Sequence, residues 1–304
     1  MQPDSARSCL QYRIDRFAGA RSKAQSQGFA GMMMPCESAF SGYEVQGSAG
    51  NGSGSETARG IGGEGDYGLY EQHWNSDIPY AAWQWWEATG NETDLKLYME
   101  PWLRGIAEFW TSRVETTKGH GGPTDGMFHI NHVMPPDEYV DGVDDGILAN
   151  AGASIILRKA AAMAKAAGRQ PGANWSAVAG KIFIPYDQER QYHPEYDGFI
   201  PNGHAPSREC NGGHCASKVK QADAILIGFP YDFNMSNTVR KNDLTIYENC
   251  TDGGSVAMTC ECTFVIRTVS AVGQWADRRL LLAGGMFAVG WLDAGEHAKA
   301  EATF

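Results

Sequence analysis

Apolar residues recur along this chain at steps of three and four and almost nowhere at steps of two, which restricts it to packed helices. Ala6, Leu10, Ile14 and Phe17 make one such face, with Gly19 as its stop. Asp77 opens a second helix through Ile78, Ala81, Ala82, Trp85 and Ala88, closed by Gly90-Asn91. Another follows directly, through Leu95, Tyr98, Trp102, Ile106, Phe109 and Trp110. A long alanine-rich helix occupies about 145–167, and Trp175 and Val178 fit a short one after Asn174. Lys218 to Phe229 is helical again, through Ala222, Ile225 and Leu226. No sustained alternation and no Asn-Gly hairpin between apolar runs marks a strand. The expected class is all-α.

Long loops separate these helices. Residues 46–68, rich in Gly and Ser, read as an insertion into one domain spanning 1–304. Acidic, aromatic and histidine residues collect between the helices: Glu37, Glu71-Gln72-His73-Trp74, Asp137-Glu138-Tyr139, His193-Pro194-Glu195-Tyr196 and Tyr247-Glu248. A ring of helical hairpins would gather such tips at one end, where a rigid scaffold commonly carries its site.

Among them, Met134-Pro135-Pro136-Asp137-Glu138-Tyr139 stands out. Two prolines hold the backbone extended, so the paired carboxylates sit on a stiff connection. Adjacent acids repel, and a buried one would keep its proton above the usual range. That is what protonating a glycosidic oxygen requires. On its own, the hexapeptide fits a solvated acidic turn better than a site.

Composition narrows the partners. With 42% hydrophobic and 20% charged residues the chain has the make-up of a soluble globular protein. A net charge of −11 argues against nucleic acid and anionic membrane surfaces. No apolar run approaches membrane-spanning length, and the first residues lack the apolar centre of a secretory signal. Seven irregularly spaced cysteines do not resemble a disulfide framework, and a reduced, cytoplasmic protein is expected. Cys210 and Cys215 lie near His204 and His214, but their spacing matches no standard zinc site. No metal or cofactor is expected.

Several stretches together resemble glycoside hydrolase family sixty-five. They are Gly19-Ala20-Arg21-Ser22-Lys23-Ala24 with Pro35-x-Glu37-Ser38-Ala39; Trp83-Gln84-x-Trp86 with Ala88-Thr89-Gly90; Ala107-Glu108-Phe109-Trp110; Met134 to Tyr139; His193-Pro194-Glu195-Tyr196; Lys220-Gln221-Ala222-Asp223; Asn242-Asp243-Leu244; and Met286-Phe287-Ala288-Val289-Gly290-Trp291. They run in the family's order over nearly the whole chain. The resemblance implies an (α/α)6 barrel and an inverting hydrolase, in which one carboxylic acid protonates the leaving oxygen and a second carboxylate activates water. By the same resemblance Glu138 is the acid and Glu248 the base. Lys220 and Gln221 match positions that contact the −1 sugar, although Lys220 could also be an exposed helix residue. Glu37, Glu71, His73 and Asp77 match further pocket positions, beside Asp137 and Tyr139; His73 fits a core histidine equally well. The implied substrate is an α-glucosyl-galactosyl-hydroxylysine disaccharide, whose amine Asp141, Asp144 and Asp145 could favour if they are not simply a solvated acidic face. Phosphorolytic members carry a His-Ser-Ser cluster near the second position, whereas Tyr247-Glu248-Asn249-Cys250-Thr251 has none. A trehalase, a disaccharide phosphorylase and an inactive fragment are the alternatives.

Three departures from the family pattern stand out. The expected barrel begins before residue 1, so the chain reads as truncated, without the Trp-Asp-Thr-Glu-type stretch that should precede the first helix. Cys36 stands where tryptophan is usual. Residues 260–284 interrupt a run that should pass from Ala257-Met258-Thr259 through a tryptophan into Met286. Cys260-Glu261-Cys262 can encode a splice donor and Leu280 to Gly284 a splice acceptor, and joining the outer bases restores a tryptophan codon. A translated or misassigned intron is the expectation there.

Overall fold

The helical period becomes helix in a computed structural model, which describes residues 3–38, 40–45, 67–119, 121–137, 139–201, 219–251, 262–269, 275–282 and 285–303. Backbone contacts in space divide the chain into two units. One comprises Met1–Pro135 and Asp141–Ile184, the other Pro136–Val140 and Pro185–Phe304.

The first unit contains α1 (Pro3–Ile14), α2 (Phe17–Ser26), α3 (Tyr67–Tyr70), α4 (Trp74–Thr89), α5 (Glu92–Asp94), a π turn (Leu95–Met99), α6 (Glu100–Arg113), α7 (Ile147–Ala166) and α8 (Trp175–Ala179). Gly19 does not stop a helix, because α2 runs through it. A Cβ on Gly19 would lie 2.1 Å from the Gly42 carbonyl oxygen, so the glycine serves a close backbone approach. Gly90, at φ +62°, does end α4 as expected.

Pro79 sits inside α4 and has no N–H to give the Asn75 carbonyl four residues back. That carbonyl instead accepts the Trp110 indole N–H from α6, at 3.2 Å. At the start of α6 the Glu100 N–H reaches back five residues to Leu95, and Pro101 follows at once with no N–H of its own. The wide turn is thus placed beside the residue least able to continue regular bonding.

Trp102, Leu103, Ile106, Phe109 and Trp110 of α6 are fully buried, as are Ile147, Ile156 and Leu157 of α7. Each such side chain contributes about 1.5–3 kcal/mol. Alanines along α7 allow α6 to approach closely. By length and composition α7 could cross a membrane, which corrects the expectation that no run approaches that length; 78% of its most apolar stretch is buried within the protein. It is a core helix.

The second unit contains α9 (Asp223–Gly228), α10 (Asn237–Cys250), β1 (Cys262–Val269), β2 (Trp275–Leu282), α11 (Gly285–Asp293) and α12 (His297–Thr303). The helix expected from Lys218 begins only at Asp223. Tyr247 and Glu248 lie on the last turn of α10, not in a loop. The Ser236 hydroxyl caps that helix by accepting the Val239 N–H at 3.2 Å.

The described residues are mostly helical, as the periodicity requires, with one antiparallel pair of strands added. In it Cys262 opposes Leu282 and Val269 opposes Trp275, within residues 260–284. The β-branched run Thr263, Val265, Ile266, Thr268 and Val269 accounts for the strand. On either side of this pair in sequence, α10 and α11 pack together. A Cβ on Gly290 would lie 2.7 Å from a Leu244 methyl carbon.

Candidate active site

In the second unit, the site is built around the start of α9. Glu195 is wholly buried, and its two carboxylate oxygens accept the N–H groups of Asp223 at 2.6 Å and Ala224 at 3.1 Å. Those N–H groups have no helical partner, so Glu195 serves them as a cap supplied from a distant loop. Asp137 docks just ahead of the same helix. Its carboxylate accepts the Lys220 N–H at 2.6 Å, and its own N–H donates to the Asp223 carboxylate at 3.3 Å. The Gln221 amide donates to the Pro136 carbonyl at 2.9 Å. Three hydrogen bonds therefore clamp the Pro-Asp turn to the start of α9 and the residues before it.

Burial pushes the Asp137 carboxyl up to about 7, against the pull of the backbone N–H groups of Lys220, Tyr139 and Gln221. Burial, then the nearby Asp137 charge, raises Glu195 well above the usual carboxylate range. Asp137 thus keeps its proton above the usual range because it is buried. Glu138 itself lies outside the described residues. Lys220 is half-buried and precedes the helix, Gln221 is buried, and Tyr139 is half-buried.

The second candidate carboxylate lies on α10. Glu248 is half-buried, and its Oε1 accepts the Trp291 indole N–H from α11 at 2.5 Å. One and a half turns earlier, the buried Asp243 accepts both the His193 N–H and its ring Nδ1–H, each at 2.8 Å. An ionised carboxylate can only accept, which assigns the ring proton to Nδ1. The Tyr247 hydroxyl donates to the His193 carbonyl at 2.8 Å, and Asn242 donates to the carbonyls of Arg190 and Gln191. So Asn242-Asp243-Leu244 and His193-Pro194-Glu195-Tyr196 bind each other and hold the loop that delivers Glu195.

The first unit holds a separate cluster. His73 lies between Glu71, 3.0 Å from Nε2, and Asp77, 2.5 Å from Nδ1. Burial opposes charge on the ring, but Asp77 and then Glu71 outweigh it and raise the imidazole to about 9. His73 is therefore a buried histidine whose charged form two carboxylates hold. Glu37 is not part of this cluster: it is exposed, and its N–H donates to Glu44 at 3.1 Å. Cys36 occupies the position where tryptophan was expected, and its N–H donates to the same Glu44, which also takes the Lys23 ammonium at 2.6 Å. Asp145 is no part of a solvated acidic face. It is fully buried, holding His129 at 2.7 Å, Asn150 at 2.7 Å and the Ile130 N–H at 3.1 Å. Asp144 likewise accepts the His132 N–H at 2.9 Å.

No group of three or more histidine, cysteine or acidic residues is arranged for a metal ion among the described residues. Cys210, Cys215, His204 and His214 lie outside them. Sequence reasoning gave no role to Glu195, Asp223, Asp243 or Trp291. Each falls within a quoted family stretch, which was the available signal.

A mostly helical chain with clamped, buried carboxyls beside a short helix has the fold of a known class. Over 99% of its length it superposes on 39% of a "Putative kojibiose phosphorylase from human microbiome", with a TM-score of 0.70 at 16% identity. Residues 1–274 match the glycosyl hydrolase family 65 central catalytic domain, and the chain belongs to that family. It is 34% identical over 303 residues to the protein-glucosylgalactosylhydroxylysine glucosidase of Danio rerio, covering 98% of this chain and 37% of that protein. The protein of the same name from Dictyostelium discoideum is 35% identical over 85% of this chain and 32% of its own length. A kojibiose hydrolase from Flavobacterium johnsoniae is 30% identical over 82% of the chain and 31% of its own length. The chain thus spans about a third of the length of these curated relatives.

Proposed function

We propose that the chain carries the acid/base chemistry of an inverting glucosidase acting on an α-glucosyl-galactosyl-hydroxylysine disaccharide, on a fold of the (α/α)6-barrel type. The observation that carries this reading is the 34% identity across 98% of the chain with a glucosidase named for that substrate. The site geometry supports it. Asp137 is fixed through its own N–H and carboxylate, which steadies the backbone entering Glu138. Glu248 is held at a set position by the Trp291 indole N–H, which its Oε1 accepts.

In this reading Glu138 gives its proton to the glycosidic oxygen as the bond from that oxygen to the glucose C1 breaks. Glu248 takes a proton from a water whose oxygen bonds to C1 from the opposite face. One water is consumed, and glucose leaves with inverted configuration. Lys220, Gln221 and Tyr139 would border the −1 sugar.

The test is glucose release from the synthetic disaccharide, with proton NMR reporting which anomer forms first. β-Glucose should appear first, and Glu138→Gln and Glu248→Gln should each abolish turnover while leaving the folded state intact. A phosphorylase of the same family is the second reading, favoured by 26% identity to a kojibiose phosphorylase from Halothermothrix orenii. Kojibiose supplied with inorganic phosphate separates the two, since phosphorolysis yields a sugar phosphate. A folded chain without turnover on any of these substrates would overturn both.

A further inference from the structure

The contact between α11 and Glu248 has a chemical sense of its own. An indole N–H can donate but cannot accept, so the Glu248 oxygen facing Trp291 must present a lone pair. A hydrogen bond of that kind favours the ionised carboxylate, which is the form a general base needs. The donor is itself packed on all sides. Trp291 is fully buried, its neighbour Gly290 lies against Leu244, and Phe287 one turn earlier is fully buried. Lys299 of α12 covers the indole face, with its Nζ 3.9 Å from the ring centroid. It is the charged group described against that ring; Tyr247 and Cys250 are the ionisable neighbours of Glu248 along α10.

We propose that Trp291 is the positioning residue for Glu248: its N–H fixes the carboxylate through Oε1 and so sets the direction in which the base faces the attacking water. This rests on the reading of Glu248 as general base. A rigid indole suits the task because it holds a single direction. A lysine in its place would add a long flexible arm and could pair with either oxygen.

The experiment uses the full chain and the disaccharide substrate. Trp291→Phe keeps most of the ring and removes the donor. Its kcat should fall about ten- to a hundredfold, the effect of losing one hydrogen bond to a charged group. KM should change less than kcat, and the acid limb of the pH–rate profile should move up by about one unit. Added to Glu248→Gln, the substitution should cause no further loss. Full turnover by Glu248→Gln would remove the base assignment and this proposal with it. Lost turnover in Glu248→Gln, with an unchanged kcat and acid limb in Trp291→Phe, overturns the positioning role alone. A lower kcat with an unmoved acid limb also overturns it, since packing would then explain the loss. A second measurement needs no turnover. The indole N–H resonance that disappears in Trp291→Phe should titrate with an acidic midpoint in the parent and not in Glu248→Gln; an indole that ignores pH in the parent sinks the proposal.

Discussion

The Asp137 carboxylate accepts the backbone N–H of Lys220 at 2.6 Å, joining two stretches 83 residues apart. A side chain that binds main chain in this way fixes two backbones at once. It also takes Asp137 out of solvent, with consequences that can be measured.

Between its ordinary value of 3.8 and about 7, Asp137 is protonated in the folded protein and ionised in the unfolded chain. The folded state then holds more protons, so stability should fall as pH rises through that window. The shift corresponds to about 4 kcal/mol. Glu195 acts in the same direction. Asp137→Asn keeps an oxygen for the Lys220 N–H and removes the titration, so urea unfolding at pH 4.5 and pH 7.5 should show a shallower pH dependence than the parent. An identical dependence in both proteins would falsify this account of Asp137.

His73 acts in the same direction, over a higher pH window. Its folded value of about 9 stands above its ordinary value of 6.5, so the ion cluster stabilises fully below the latter and is lost as pH rises through the former. The expected loss is about 3 kcal/mol. Imidazole C–H resonances followed by NMR should give the raised midpoint, and Asp77→Asn should lower it. A midpoint near 6.5 in the parent would show that the two carboxylates do not hold the ring.

The Trp110 indole and Pro79 are predicted to be energetically coupled. Trp110→Phe leaves the Asn75 carbonyl without its donor and should cost about 1–3 kcal/mol. In a Pro79→Ala background the new N–H can serve that carbonyl, so the same substitution should cost less. Thermal unfolding of the four proteins gives the coupling, and strict additivity would argue against it.

Asp243→Asn should destabilise by about 1–3 kcal/mol, because an amide cannot accept both His193 donors without presenting its own N–H to one of them. Chemical denaturation measures the cost, and hydrogen exchange should show the N–H of His193 losing protection. Unaltered protection would mean that Asp243 is not the acceptor.

The helices whose apolar stripe is broad were legible in the sequence. α4, α6 and α7 bury tryptophans, leucines and alanines at helical spacing, and periodicity finds them. α10 was missed because its buried positions are few (Val239, Asp243, Leu244, Tyr247 and Cys250) and one of them is charged. Periodicity counts apolar residues and cannot see an aspartate buried because it holds a histidine. Gly19 was misread for a related reason. A glycine that admits a neighbouring backbone looks, in one dimension, like one that ends a helix. For the site, the family stretches located the segments that carry Asp137, Lys220, Gln221 and Glu248. They could not reveal Glu195 as the cap of α9, because that role exists only where a distant loop meets a helix start.

Leu244 meets Gly290 and Glu248 meets Trp291, although the β1–β2 pair intervenes in sequence. The two helices recognise each other through their own surfaces, so the intervening residues act as a tether. The entropy of closing a tether rises only with the logarithm of its length, by about 0.6 kcal/mol for each doubling. A chain can therefore carry extra peptide at this junction and still bring indole and carboxylate together, which makes the spot a natural port for grafting foreign sequence.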